Sequence, residues 1–462
     1  LRPSPFDLRP STFDLRPSTF QQVMTMTQTP SPQTQAVVDE MRKYEPRAMI
    51  TQAPVVWEHA EGHRVVDADG RSYLDFSSGI IVANVGHAHP HLVAALQGML
   101  DQKLLHSYLY ATRIRTRLAR KLVEATAPNL TKACLLSTGT ESIEAAMKIS
   151  RLHGMSVHSR KSVLVSHTDN YHGRTMGAQM LSSNMKSKNW ISNLDPDIVH
   201  LPFPYEDRGE EAVHRDLAAL ADGGVDLDRI AAFFLESYQG VHGPTFYPKA
   251  YVQALRRWAD DHDALLVFDD IQAGFGRTGK LLCYEHYDVQ ASLVCCGKGL
   301  SGCLPISAVL GPAELLDLPE EGEMTSTHSG NPMCCAAALA TLEILEKENL
   351  VEESARRGGI IEERFEAIAA KHPDRVAKIS GRGMVYSIYF VDPSTGEPDV
   401  AMGSRITERA IDNGLMLYLT HCDMVKLTPP LSMPDDALRE GLDVLARTVD
   451  ECVAERAIRR GS

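Results

Sequence analysis

Long apolar runs are scarce in this chain. None approaches the roughly 20 residues that a helix needs to cross a bilayer, which argues against a membrane-spanning protein. The first residues also lack the positive region, apolar segment and small-residue cleavage pattern of a secretory signal. Positive charge is in deficit: 47 Lys and Arg face 60 Asp and Glu, a formal net charge of −13. Such a surface repels phosphate backbones and anionic lipid, so neither nucleic acid nor a membrane is an expected partner. Cysteine is sparse, nine in 462 residues, with no C-x-x-C spacing. The adjacent pairs Cys295-Cys296 and Cys334-Cys335 fit neither a disulfide framework nor a zinc ribbon. They read as buried thiols of a reducing cytoplasm.

What is present is ordinary globular material, 44% hydrophobic and 23% charged. At about 150 residues per domain, the length allows two to three domains' worth of core. The first twenty residues repeat a seven-residue unit, LRPSPFD, LRPSTFD, LRPSTF. A proline in every unit forbids the coiled coil that period seven would otherwise suggest. Residues 1–35 are therefore expected to be a disordered or appended extension, with Met24 or Met26 as the natural start.

Short strands are expected around Val55-Val56-Trp57, Val65-Val66 and, after the Asp69-Gly70 turn, Tyr73 to Phe76. Apolar runs at 133–136, 163–166, 232–235, 265–268, 293–296 and 307–310 then alternate with helical patterns such as 141–153 and 248–261. That alternation predicts a mainly parallel sheet with helices on both faces. After Asn331-Pro332 an alanine-rich segment, 333–350, predicts one long helix. Beyond it, helix 351–371, strand 383–390, a helix near 407–413, strand 424–427 and helix 435–456 suggest a separate α+β lobe.

Two of the apolar runs stop on residues with chemistry. Leu265 to Phe268 runs into Asp269, and Leu293 to Cys296 runs into Gly297-Lys298. Singly, such residues are most often a structural acid and a solvated lysine. Together, at carboxyl ends of parallel strands, they occupy the place where open α/β folds bind ligands. An acid and a primary amine there suit a carbonyl cofactor held as a Schiff base and tuned by the acid. The glycines flanking Lys298 permit close approach to a flat ring. Ser137-Thr138-Gly139-Thr140 follows a strand and opens a helix; alone it is an N-cap motif. His87, His89 and His91 invite a metal reading, but no acidic or cysteine partner is near in sequence, and no metal site is expected.

FDDIQAGFGRTG (268–279) and GKGLSGCLPISAV (297–309) resemble the signatures of class III aminotransferases, pyridoxal-phosphate enzymes of fold type I. The resemblance runs from about residue 44 to 452. It implies an α/β protein with a mainly parallel seven-stranded sheet in a large domain (76–335). A smaller α+β domain would come from the N-terminal segment 36–75 and from 336–462. It also implies roles. Lys298 would hold the cofactor and move the substrate proton, Asp269 would keep the pyridine nitrogen protonated, and Gln272 would donate to the ring hydroxyl oxygen. Ser137, Gly139 and Thr140 become a phosphate cup. Asn170-Tyr171-His172-Gly173 is similar to the family's aromatic-His-Gly motif, so Tyr171 would stack on the ring with His172 as support. Ser326-Thr327-His328-Ser329-Gly330-Asn331-Pro332 resembles a segment whose threonine, here Thr327, reaches the cofactor phosphate of the neighbouring subunit. That implies a homodimer with shared sites. His328 stands where the family has phenylalanine.

Two departures bear on substrate. The segment Glu236-Ser237-Tyr238-Gln239-Gly240-Val241 keeps Glu236 beside the cofactor but has Val241 where relatives carry a gating glutamate. Lys426 stands where they carry its arginine partner, and an ammonium cannot make the planar bidentate clamp of a guanidinium on a carboxylate. The expected function is a ping-pong aminotransferase moving a primary amino group between an ω-amine and a 2-oxo acid. An aminosugar, aminocyclitol or polyamine would fit as the amine, in an aminoglycoside-type biosynthesis. The alternatives are an isomerase, epimerase or aminomutase on the same scaffold, a decarboxylating transaminase, or a conventional 4-aminobutyrate or ornithine transaminase. A non-catalytic binding protein is disfavoured by the intact Lys298, Asp269 and Gln272.

Overall fold

The computed structural model of the protein describes residues 30–49, 53–205, 209–241, 243–420 and 422–461. The LRPS repeat lies outside them. The first helix, Pro32–Tyr44, is capped by the Ser31 side chain, which accepts from Thr34 N. It takes in the last four residues of the stretch expected to be an extension. Three strands follow as an antiparallel meander: β1 (Trp57–Glu61), β2 (Arg64–Asp67) and β3 (Ser72–Asp75). The turn before β3 forms where Asp67 Oδ1 accepts from Asp69 N and Arg71 N, with Gly70 at φ 79°.

The central sheet has seven strands: β4 (Lys132–Leu136), β5 (Val163–His167), β6 (Ile198–Leu201), β7 (Ile230–Glu236), β8 (Leu265–Asp269), β9 (Leu293–Cys296) and β10 (Ser307–Gly311). Their order is β4-β10-β9-β8-β7-β5-β6, and only the pairings of β10 are antiparallel. Six of the seven match expected runs. The edge strand β6, Ile-Val-His-Leu, was not expected, because four residues containing a histidine give no periodic signal.

Strands covered on both faces read as unbroken apolar runs, and alternation sorts β7–β9 between two layers. Phe233, Leu235, Leu266, Phe268, Val294 and Cys296 pack with Tyr251, Val252 and Leu255 of helix Lys249–Asp261. Ala232, Phe234, Leu265, Val267, Leu293 and Cys295 pack with Ile143, Ala146, Met147 and Ile149 of helix Gly139–Val157. A phenylalanine buried as fully as Phe268 contributes about 1.5–3 kcal/mol. The same parity places Glu236 and Asp269 at the end of the second layer, beside the start of helix Gly139–Val157.

The remaining chain departs from expectation in three places, the simplest being that the helix expected near 407–413 already starts at Val400. The helix expected at 333–350 begins at Pro332, with Asn331 Oδ1 accepting from Met333 N, and stops at Lys347 rather than at residue 350. Asn349, at φ 53°, turns the chain before helix Leu350–Lys371. The strand expected at 383–390 is the second arm of a hairpin, β11 (Val376–Arg382) and β12 (Val385–Phe390), with Gly383 at φ 56° in the turn. Helix Val400–Asp412, β13 (Leu415–Met416), β14 (Met424–Leu427) and helix Asp435–Gly461 complete the chain. β13 pairs in parallel with β3, so the N- and C-terminal segments meet. β11, β12 and β14 form an antiparallel sheet. The buried Arg277 ties it to the site loops, donating to Met384 O, Pro429 O and Asn84 Oδ1. Among the described residues, no helix is long and apolar enough to cross a membrane.

Candidate active site

Register brings the acids together. Glu236 of β7 pairs with Asp269 of β8, and Asp269 pairs with Cys295 of β9, two residues before Gly297-Lys298. Adjacent strands lie about 4.8 Å apart, so two buried carboxyls and a lysine crowd one end of the sheet. Asp269 Oδ2 lies 2.9 Å from His172 Nδ1, and Oδ1 accepts from Ile271 N. A carboxylate only accepts, so Nδ1 carries the proton. The other ring nitrogen of His172 lies 3.2 Å from Ser166 Oγ. Glu236 accepts from Tyr171 N at 2.9 Å and Gly240 N at 3.1 Å. Burial, with Asp269 adding and His172 opposing, pushes its carboxyl up to about 7.

Lys298 sits at φ 42°, a left-handed conformation that stores strain in a residue with a Cβ. Its ammonium has no hydrogen bond among the described residues. Burial lowers its pKa, while Asp269 and Glu236 oppose that shift.

The helix opening at Gly139 forms the second wall. Thr138 caps it, and Glu141 closes a capping box, taking Ser137 N at 2.8 Å and Thr138 N at 2.9 Å. The N–H groups of Gly139 and Thr140, at the helix start, have no intrahelical acceptor. Among the described residues, Ser137 Oγ is buried without a partner. A Cβ on Gly139 would lie 2.8 Å from Ile271 Cγ2, and one on Gly297 would lie 3.1 Å from the same atom. Ile271 is thus a shared floor joining the helix start, the Asp269 loop and the lysine loop. The Thr140 hydroxyl lies 2.6 Å from Thr175 Oγ1, which itself donates to Glu144 Oε1. Thr140 therefore gives its hydroxyl proton to Thr175 and keeps only its N–H for a ligand. These features fit the phosphate of the expected cofactor: free N–H groups at a helix start, an orphaned hydroxyl, and no room for a Cβ.

Tyr171 is half exposed beside this wall, with the Arg174 guanidinium 5.9 Å from its ring centroid. Gln272 follows Asp269 on the same loop, and Lys426 Nζ donates to its Oε1 at 2.8 Å and to Gly240 O at 2.8 Å. Lys426 is 3% exposed and Val241 is 40% exposed. The two expected substrate positions therefore differ: Val241 faces out and Lys426 faces in. Burial lowers the Lys426 ammonium to about 7, opposed by Glu236. Among the described residues, Thr327 has no hydrogen bond to Ser137, Gly139 or Thr140 of its own chain. It lies exposed on a turn anchored to the 105–110 segment, where Tyr108 OH meets Thr325 Oγ1 and Asn331 Nδ2 donates to Leu105 O. The three histidines bond separate carboxylates, His87 to Asp75, His89 to Glu348 and His91 to Glu343. Sequence reasoning missed Ile271 and Arg174, although both lie inside motifs it had singled out.

A lysine without a hydrogen bond among the described residues at the end of a parallel sheet, an adjacent buried acid and an anion-ready helix start define an enzyme of the Schiff-base cofactor class. Comparison with known proteins narrows this. The family model for class III aminotransferases matches residues 47–449, and the chain belongs to that family. It is 31% identical over 415 residues to the 4-aminobutyrate aminotransferase GabT of Escherichia coli, covering 88% of this chain and 96% of that one. It is 32% identical over 403 residues to the ornithine aminotransferase of Emericella nidulans, covering 86% of each. It is also 33% identical to the 5-aminovalerate aminotransferase DavT of Pseudomonas aeruginosa, covering 88% and 96%. Among solved structures, the ornithine aminotransferase of Toxoplasma gondii superposes with a TM-score of 0.82 at 26% identity, covering 91% of this chain and 96% of that one. The fold is thus that of a class III aminotransferase.

Proposed function

We propose that the protein is a pyridoxal-phosphate-dependent transaminase that passes a primary, ω-type amino group to a 2-oxo acid through two alternating half-reactions at one site. The observation that carries this reading is Lys298, an amine without a hydrogen bond among the described residues, next to an Asp269 held by His172. Lys298 would form the covalent link and, once displaced by the substrate amine, carry the substrate proton; burial favours the neutral form this needs. Asp269 would face the pyridine nitrogen, Gln272 the ring oxygen and Tyr171 the ring face. Ser137, Gly139 and Thr140 would hold the phosphate. The bound cofactor supplies an electron sink for the carbanion left when the proton departs.

Val241 and the inward Lys426 present no free charge to a substrate, which supports an amine whose far end lacks a carboxylate, such as an aminosugar, aminocyclitol or polyamine. Arg174, exposed and without a carboxylate partner among the described residues, suits the carboxylate of the 2-oxo acid. Exposed Leu105, Leu109 and Tyr110 beside Thr327 support a second copy of the chain covering that face, in a homodimer with shared sites. Nine free thiols, seven of them buried, support a cytoplasmic location.

The test is a screen of amine donors read by the bound cofactor's own absorbance. Conversion by hydroxylated amines and not by 4-aminobutyrate or ornithine supports the substrate reading. Lys298→Ala should abolish conversion for every donor, and conversion in that variant refutes the assignment.

A further inference from the structure

We propose that Lys426 is a positioning residue for Gln272, fixing that amide so that only its N–H donors remain for the group bound in the site. The Lys426 amine gives one N–H to Gln272 Oε1 and another to Gly240 O, and in its ammonium form it has no acceptor, so the contact with Oε1 sets the sense of the amide. Turned the other way, the amide would aim its NH2 at an ammonium, donor against donor. Nothing among the described residues accepts from Gln272 Nε2, so the side chain is left as a one-sided donor. The seat is built around Gly240. Its carbonyl takes the second Lys426 bond, its N–H donates to Glu236, and a Cβ there would overlap the Gln272 amide. Glycine alone lets the loop lie that close.

The ammonium is further enclosed by the Tyr238 ring, whose centroid is 5.7 Å away, and little of the residue reaches solvent. Lys426 thus spends its N–H donors inside the protein rather than on a substrate carboxylate. Two hydrogen bonds from one enclosed amine, to Gln272 Oε1 and Gly240 O, hold one orientation of the flexible amide, and the ammonium form strengthens them. The inference rests on the reading that Gln272 donates to the cofactor ring oxygen, and it adds what keeps that donor aimed.

The experiment compares holoenzyme of the wild type with Q272A, K426M, the double variant and K426R. Readouts are the visible band of the bound cofactor, the rate of cofactor release, and the two half-reactions, with 1-aminobutane and with 2-oxoglutarate. The expected result is a band displaced in the same direction in Q272A and K426M, with the double variant no further displaced than Q272A. Cofactor release should accelerate about tenfold, the effect of losing one such hydrogen bond. K426R, which keeps donors for both acceptors, should restore the wild-type band; if K426M fails to fold, K426A replaces it. An unshifted Lys426 variant beside a shifted Q272A overturns the link between the two residues. A loss confined to the 2-oxoglutarate half-reaction also overturns it, because that outcome means contact with a substrate carboxylate. A Q272A band identical to wild type refutes instead the reading of Gln272 on which the inference rests.

Discussion

Replacing Gly139 with alanine would test how the site is assembled. The new Cβ would lie 2.8 Å from Ile271 Cγ2 and 3.0 Å from its Cδ1, well inside the usual carbon contact of about 3.5–4.0 Å. The backbone of Gly139 is helical, so the substitution adds no conformational strain and the effect is steric. Ile271 cannot retreat freely. It also lies under Gly297, and its N–H is bonded to Asp269 Oδ1. Overpacking of this sort costs about 1–3 kcal/mol. Expressed in cofactor binding, that is a loss of roughly 5- to 150-fold, at 1.4 kcal/mol per factor of ten. Titration of the cofactor-free protein, followed by absorbance, measures it. Ile271→Ala removes all three clashing carbons, so adding it to Gly139→Ala should recover part of the affinity. The two effects should fall short of additivity by about 1 kcal/mol. Strict additivity, or an unchanged affinity in Gly139→Ala alone, would show that Ile271 is not a shared floor.

Glu236 should make cofactor-free protein pH-sensitive. A carboxyl raised from 4.5 to about 7 by burial contributes stability fully below pH 4.5 and loses it as pH rises through 7, about 3 kcal/mol at most. Urea unfolding at pH 5 and pH 8 should show that fall in the wild type and a flatter response in Glu236→Gln; equal falls would refute the assignment. Arg174→Gln should raise KM for the 2-oxo acid about tenfold, the loss of one charge-assisted hydrogen bond. The half-reaction with an uncharged amine should stay unaffected, and an unchanged KM would remove Arg174 from acid recognition. Sedimentation should give twice the chain mass. Mixing Lys298→Ala with Thr327→Ala protomers should restore activity that neither has in full alone; no gain on mixing would exclude a site shared through Thr327.

Much of the framework of the candidate site was legible beforehand because its signals are local. Apolar runs that stop on Asp269 and at Gly297-Lys298 announce strand ends, and Thr138 with Glu141 announces a capped helix start. The stretch at 333–350 was legible as a helix but not in its end, since Asn349 turns the chain by adopting a backbone conformation that its residue type only permits. β6 and β11 were illegible: both sit at sheet edges, where one face is open and polar residues interrupt the alternation.

Lys426 marks the boundary most clearly. Sequence alone determined that a lysine stands there instead of an arginine, and that Asp269 and Lys298 end neighbouring apolar runs, since residue type and period are properties of short segments. Only the tertiary structure decided where the ammonium goes. Its acceptors, Gln272 and Gly240, are 154 and 186 residues distant in the chain. They meet it because Arg277 and the packing of β14 hold the C-terminal segment against the ends of β7 and β8. A hydrogen bond reaches about 3 Å, so its partner is set by which surfaces the fold brings into contact.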